Sequence, residues 1–160
     1  MRHLFEDLKN SLLSITNNIV FMANSGNWGD GLIGHGTREF FKDIKLEYTE
    51  VPYSTSFIPP PNTTFLYGGS GGFCKHWNHV YPIISRLKPM CEKVIILPAT
   101  YGINHNYFDD VEWWSRDKYT SLIINPKASI CPDMALWLKK INIEPTKERA
   151  ILYRTCAEGI

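Results

Sequence analysis

Ile19-Val20-Phe21-Met22-Ala23, followed by Asn24-Ser25-Gly26-Asn27-Trp28-Gly29-Asp30, is the stretch that decides how this chain folds. The first five residues are apolar and partly β-branched, the pattern of a strand buried on both faces. A Gly/Asn loop interrupts the run. From 30 to 41, Leu32, Ile33, Phe40 and Phe41 then recur at helical spacing. Asp30 suits the start of that helix, where a carboxylate meets free backbone N–H groups. Buried strand, short loop and helix together make the repeating unit of a parallel α/β sheet.

The same alternation extends in both directions. Upstream, Leu4, Leu8 and Leu12 are spaced by four and predict an amphipathic helix over 3–16. Downstream, 45–51 alternates as a half-buried strand does, and Pro59-Pro60-Pro61 marks a surface connection. A strand over 63–67 runs into Gly68-Gly69-Ser70-Gly71-Gly72, with a helix expected from 76 to 87. Val94-Ile95-Ile96-Leu97 reads as a buried strand halted at Pro98. Further strands are expected over 111–115, 129–131 and 150–154, and helices over 118–124 and 133–140. This order predicts a parallel sheet with helices on both faces and strand order 2-1-3-4-5-6. There is no internal repeat.

Composition narrows the function. A chain of 160 residues, 44% apolar and 21% charged, fits one globular domain. Its net charge of +1 lacks the basic surplus of a duplex-binding module, so no nucleic acid partner is expected. Cys74, Cys91, Cys131 and Cys156 form no C-x-x-C pair, which argues against a zinc ribbon and for reduced, mostly buried thiols. The charged, amphipathic start is not a secretory signal, and the apolar runs are of strand length, far below the ~20 residues that span a bilayer. The expected location is the cytoplasm. Asn62-Thr63-Thr64 is then a chance sequon.

In such sheets ligands bind at the carboxyl ends of the strands, and the unusual residues fall there. Gly26, Asn27 and Gly29 follow the first strand; Gly69, Ser70 and Gly71 follow the third. Both loops open helices and are either anion cradles or tight turns. Neither has the G-x-G-x-x-G fingerprint or a Walker ending. Thr100 follows the fourth strand. Arg116, after the fifth, is either a fixed cation for phosphate or carboxylate, or the partner of Asp117 or another acid. Asp30 is a sugar ligand, a base or a helix cap; Asp133 has the same choices, with the cap favoured. Of His35, His76, His79 and His105, His76 lies just beyond the glycine run and is the foremost candidate for ligand contact. His76 and His79 are three apart, a spacing more often solvated than metal-binding. Trp28 is an indole in a loop, suited to stacking on a sugar; the other tryptophans read as core.

Six of these segments, in this order, resemble motifs of the polysaccharide pyruvyl transferase family. Gly26-Asn27-Trp28-Gly29-Asp30-Gly31-Leu32-Ile33 is similar to its G-N-x-G-D-x-L-I, and Leu66-Tyr67-Gly68-Gly69-Ser70-Gly71-Gly72-Phe73 to its glycine run. Ile96-Leu97-Pro98-Ala99-Thr100 resembles L-P-Q-T/S, and Ser115-Arg116-Asp117-Lys118-Tyr119-Thr120 resembles R-D-x-x-S. Cys131-Pro132-Asp133-Met134-Ala135 and Leu152-Tyr153-Arg154-Thr155-Cys156-Ala157-Glu158 are similar to C-P-D-M-A and R-T-D-x-E. Ala99 replaces the family's Gln, and Cys156 its Asp.

The resemblance implies a Rossmann-like lobe over 1–148, one half of a two-lobed, GT-B-like architecture, with 149–160 starting the second lobe. It implies transfer of pyruvyl from phosphoenolpyruvate to a glycan hydroxyl pair as a ketal, with loss of phosphate and no metal or organic cofactor. Asp30, Arg116 and His76 are then the expected catalytic residues. Gly26, Asn27, Trp28, Gly29, Gly69, Ser70, Gly71, Thr100 and Asp133 are expected to bind substrate. The family's second-half arginine and histidine have no counterpart here, so self-association or a partner supplying the other lobe is expected. The alternatives are a catalytically incomplete sugar- or anion-binding module and a nucleotide-sugar-binding domain.

Overall fold

A computed structural model describes residues 2–103 and 107–138. A 3-10 turn at Arg2–Phe5 leads into α1 (Glu6–Leu13), β1 (Asn18–Met22), α2 (Trp28–Asp43), β2 (Thr49–Val51) and β3 (Thr63–Tyr67). Then come α3 (Val80–Leu87), β4 (Lys93–Ala99), β5 (Val111–Ser115), α4 (Ser121–Ile124), β6 (Ser129–Ile130) and a 3-10 turn at Met134–Trp137. The six strands form one sheet in the order β2-β1-β3-β4-β5-β6, and every pairing is parallel. The expected α/β class, strand order and Rossmann-like arrangement are present.

Burial follows the two-residue period of the strands. Val20, Met22, Phe65, Tyr67, Val94, Ile96 and Trp113 face one side, against Ile83, Ile84 and Leu87 of α3. Ile19, Phe21, Leu66, Ile95, Leu97 and Trp114 face the other, against Leu8 and Leu12 of α1 and Phe40 and Phe41 of α2. Each side chain turned from water contributes about 1.5–3 kcal/mol, so the sheet is held from both faces. Among the described residues no helix is long and apolar enough to cross a membrane.

Several boundaries differ from the sequence reading. β2 covers only Thr49–Val51, because Lys45 takes a left-handed conformation (φ 57°) that closes α2. Leu46 N–H donates to Phe41 O at 2.9 Å and Lys45 N–H to Lys42 O at 3.1 Å, the paired bonds of a Schellman ending. β4 does not stop at Pro98 but continues to Ala99, with a register shift against β5 between Ile96 and Ala99. A proline donates no ladder hydrogen bond, and an irregularity is where a strand tolerates one.

α3 starts at Val80, not at 76. Phe73 is fully buried against Tyr101, Tyr107 and Trp113, and it bridges Tyr101 in parallel. That anchor holds the chain along the strand ends before the helix can begin. α4 is likewise delayed to Ser121, because the Asp117 carboxylate accepts from the Tyr119, Thr120 and Ser121 backbone N–H groups. The 3-10 turn at Met134–Trp137 replaces the first part of the helix expected over 133–140. Its remainder, the strand over 150–154, the second-lobe segment 149–160, His105 and Cys156 lie outside the described residues.

Candidate functional site

Because all strands run one way, their carboxyl ends share one edge, and backbone bonds continue past those ends. Gly68 N–H donates to Met22 O (2.8 Å), Thr100 N–H to Ser70 O (3.0 Å), Arg116 N–H to Ala99 O (3.2 Å) and Cys131 N–H to Ser115 O (3.0 Å). These bonds tie the post-strand loops into one rim. Against it lies a cleft of about 540 Å³, lined by residues that include Asn24, Gly26, Asp30, Gly71, Trp77, His79 and Arg116. Asn27 and Gly29 also line it.

The first loop is built around a cap. Asn27 Oδ1 accepts from Gly29 N–H at 2.7 Å, and Asp30 Oδ2 accepts from Asn27 N–H at 3.0 Å, a reciprocal capping box. Asp30 is therefore both a cap and a cleft residue, and α2 begins at Trp28, two residues earlier than expected. Its Oδ1 accepts from Asn24 Nδ2 at 3.0 Å. Asn24 Oδ1 accepts from the Tyr67 hydroxyl at 2.5 Å and lies 3.3 Å from His79 Nε2. Burial, with Tyr53 and Asp30 nearby, pushes the Tyr67 phenol far above its ordinary range. Tyr67 thus stays protonated as a donor.

The second wall is Arg116. Nε donates to Thr100 Oγ1 at 2.7 Å and Nη1 to Asp133 Oδ2 at 2.6 Å. The partner acid is Asp133, not the adjacent Asp117. Asp133 Oδ1 also caps the following turn through Ala135 N–H at 2.9 Å. The Arg116 and Asp133 side chains are 26% and 24% exposed, enough shelter to fix the guanidinium. A guanidinium has five N–H donors; one is given to Thr100 and one to Asp133, and three have no partner among the described residues.

The expected site residues thus divide. Gly26, Asn27, Gly29, Asp30, Gly71 and Arg116 come together on the cleft, with Thr100 and Asp133 directly behind Arg116. Gly69 and Ser70 serve the rim instead. A Cβ on Gly69 would sit 1.9 Å from Pro98 O, and buried Ser70 accepts from Gly72 N–H at 3.0 Å. No described glycine has positive φ, so Gly26 and Gly69 are required by close approach rather than by backbone conformation, and Gly71 by neither. A Cβ on Gly26, for example, would meet Asp30 Oδ2 at 2.0 Å and break the cap.

His76 is exposed and does not line the cleft; His79 does. Trp28 is 92% exposed at the start of α2 and is not among the residues that line the cleft, whereas Trp77 lines it at 46% exposure. Asn24, Trp77 and His79 are cleft residues that sequence reasoning does not place in the site, preferring His76 to His79. Asn24 directly follows the first predicted strand, which was the signal for it; the late start of α3 hid the other two.

Among the described residues no cluster of His, Cys, Asp or Glu has metal-binding geometry. Of the described cysteines, Cys131 is buried, while Cys74 and Cys91 are half-buried. Burial pushes Cys91 up to about 11 and Cys131 up to about 12. These thiols are protonated near neutral pH and poorly reactive.

Fold and site together define a Rossmann-like α/β domain with a polar cleft, holding a fixed cation, at the carboxyl edge of its sheet. No family model matches the chain, and no curated protein matches it. A solved structure, that of an uncharacterized protein from Klebsiella pneumoniae subsp. pneumoniae NTUH-K2044, is similar with a TM-score of 0.80 and 26% sequence identity. The match covers 99% of this chain and 67% of that one.

Proposed function

We propose that the cleft binds phosphoenolpyruvate and that the chain is the Rossmann-like lobe of a pyruvyl transferase of two-lobed, GT-B-like design acting on a glycan. The observation that carries this reading is Arg116. It is locked by Thr100 and Asp133 and keeps three N–H donors without a partner among the described residues, in a cleft that also holds Asp30 and His79. A planar guanidinium binds phosphate or carboxylate by two parallel bonds. Asp30 offers carboxylate oxygen to sugar hydroxyls, and the half-exposed Trp77 offers an aromatic face to a sugar ring. The motif order from Gly26 to Asp133 supports the family resemblance. The second lobe, or a partner in its place, supplies the opposite wall.

The test is thermal melting of the purified chain with and without millimolar phosphoenolpyruvate. Saturation at a hundred times Kd adds about 2.7 kcal/mol, which raises Tm by about 5–10 °C for a chain of this size. Arg116→Ala is expected to abolish the rise, and Arg116→Lys to keep only part of it. An unchanged Tm in the wild-type chain overturns the reading. A rise without phosphate release to any galactosyl or mannosyl acceptor leaves a binding module.

A further inference from the structure

We infer that His79 is the proton-transfer residue of the cleft, held by the Asn24 amide as its Nε2–H tautomer so that Nδ1 performs the chemistry. The inference rests on the phosphoenolpyruvate reading above. It starts from Asp30, both of whose carboxyl oxygens accept hydrogen bonds. One oxygen takes the Asn27 N–H, and the other, at 3.0 Å, takes the Asn24 amide nitrogen. Asn24 must therefore turn its NH2 to Asp30 and its carbonyl oxygen away. The opposite orientation would set that oxygen against a carboxylate.

The Asn24 carbonyl oxygen is also acceptor-only. The Tyr67 hydroxyl donates a hydrogen bond to it at 2.5 Å, and His79 Nε2 stands 3.3 Å from it. Only a protonated Nε2 can bond there, so the neutral ring carries its lone pair on Nδ1. No described residue occupies Nδ1. The described groups around the ring include Tyr53, edge-on with ring centroids 6.3 Å apart, Asn24 with Tyr67 and Asp30 behind it, and Arg116 on the same cleft lining. Asp30 thus sets the histidine tautomer through one intervening amide.

In the proposed reaction the protonated ring gives its Nδ1 proton to the methylene carbon of phosphoenolpyruvate. The C=C π pair forms the new C–H bond and leaves a cationic C2. An acceptor hydroxyl oxygen bonds to C2, and its proton returns to Nδ1. The C2–O bond to phosphate breaks with its electron pair on phosphate. The second hydroxyl bonds to C2 and yields its proton to that phosphate. Two hydroxyl protons are released; in net terms one is now on the methyl group and one on phosphate. Arg116 holds the anion while His79 moves the proton.

The experiment pairs two readouts on the full chain. Long-range proton–nitrogen NMR of the neutral His79 ring is expected to show Nε2–H; an Nδ1–H signature or an even mixture overturns the inference. His79→Gln is expected to keep the phosphoenolpyruvate-induced rise in Tm and an unchanged KM. Its phosphate release to a galactosyl or mannosyl acceptor is expected to fall about 10²–10⁴-fold. Equal release by the variant overturns the role. A wild-type chain that neither melts higher nor releases phosphate removes the phosphoenolpyruvate reading and this role with it. A rise in Tm with the wrong tautomer removes only the role.

Discussion

Gly69 and Gly71 sit two residues apart in the same loop and do different work. A methyl group on Gly69 would fall 1.9 Å from the Pro98 carbonyl oxygen, and backbone cannot step aside cheaply. On Gly71 it would meet nothing within 4 Å. Gly69→Ala is therefore expected to cost about 2–3 kcal/mol, in the range of overpacked interiors. Gly71→Ala is expected to stay within about 0.5 kcal/mol of wild type. Urea denaturation of both variants measures the difference. The same close-range logic governs Arg116, which is useful to a ligand because Thr100 and Asp133 have already fixed its plane.

Within an element, the end of α2 is a place where the chain accepts strain. Lys45 holds φ 57° to complete the Schellman bonds, and Leu46 packs on the same cluster as Phe41. For a residue with Cβ the left-handed region costs about 1–2 kcal/mol, while glycine loses extra backbone entropy on folding. Lys45→Gly is expected to gain up to about 1 kcal/mol, seen as a higher urea midpoint with an unchanged slope. Lys45→Val, β-branched at the same φ, is expected to lower the midpoint. The sequence hid this turn because 45–51 alternates well enough to pass as a strand throughout.

At the scale of the molecule, Glu112 links layers that are distant in sequence. It accepts from Ser11 of α1, from Trp114 Nε1 at 2.7 Å and from Lys93 of β4 at 2.7 Å. Burial alone would raise its pKa, but the bonds from Lys93, Ser11 and Trp114 outweigh burial and hold the carboxyl below its ordinary value. A depressed folded-state value contributes stability that is full above the unfolded pKa of about 4.3. That stability is lost as pH falls through the folded value. Wild type is therefore expected to lose stability on acidification below about pH 5 more steeply than Glu112→Gln does, measured as Tm against pH. Parallel curves for the two proteins would show that Glu112 carries no such linkage.

The sequence by itself determined the layers. Apolar runs of strand length between helical periodicities leave a chain little choice but a parallel sheet covered on both faces, since each side of every central strand must be buried. It also put Gly26, Asp30, Thr100, Arg116 and Asp133 after strand ends, and therefore at one edge. Only the tertiary structure decided which of them meet. Arg116 chose Asp133 across 17 positions rather than its neighbour Asp117, whose carboxylate was already taken by the turn it caps. His79 and Trp77 replaced His76 and Trp28 at the cleft because Phe73, buried among Tyr101, Tyr107 and Trp113, held back the start of α3. Periodicity is local and survives in one dimension, whereas a contact is settled by which distant side chain has a bond still to give.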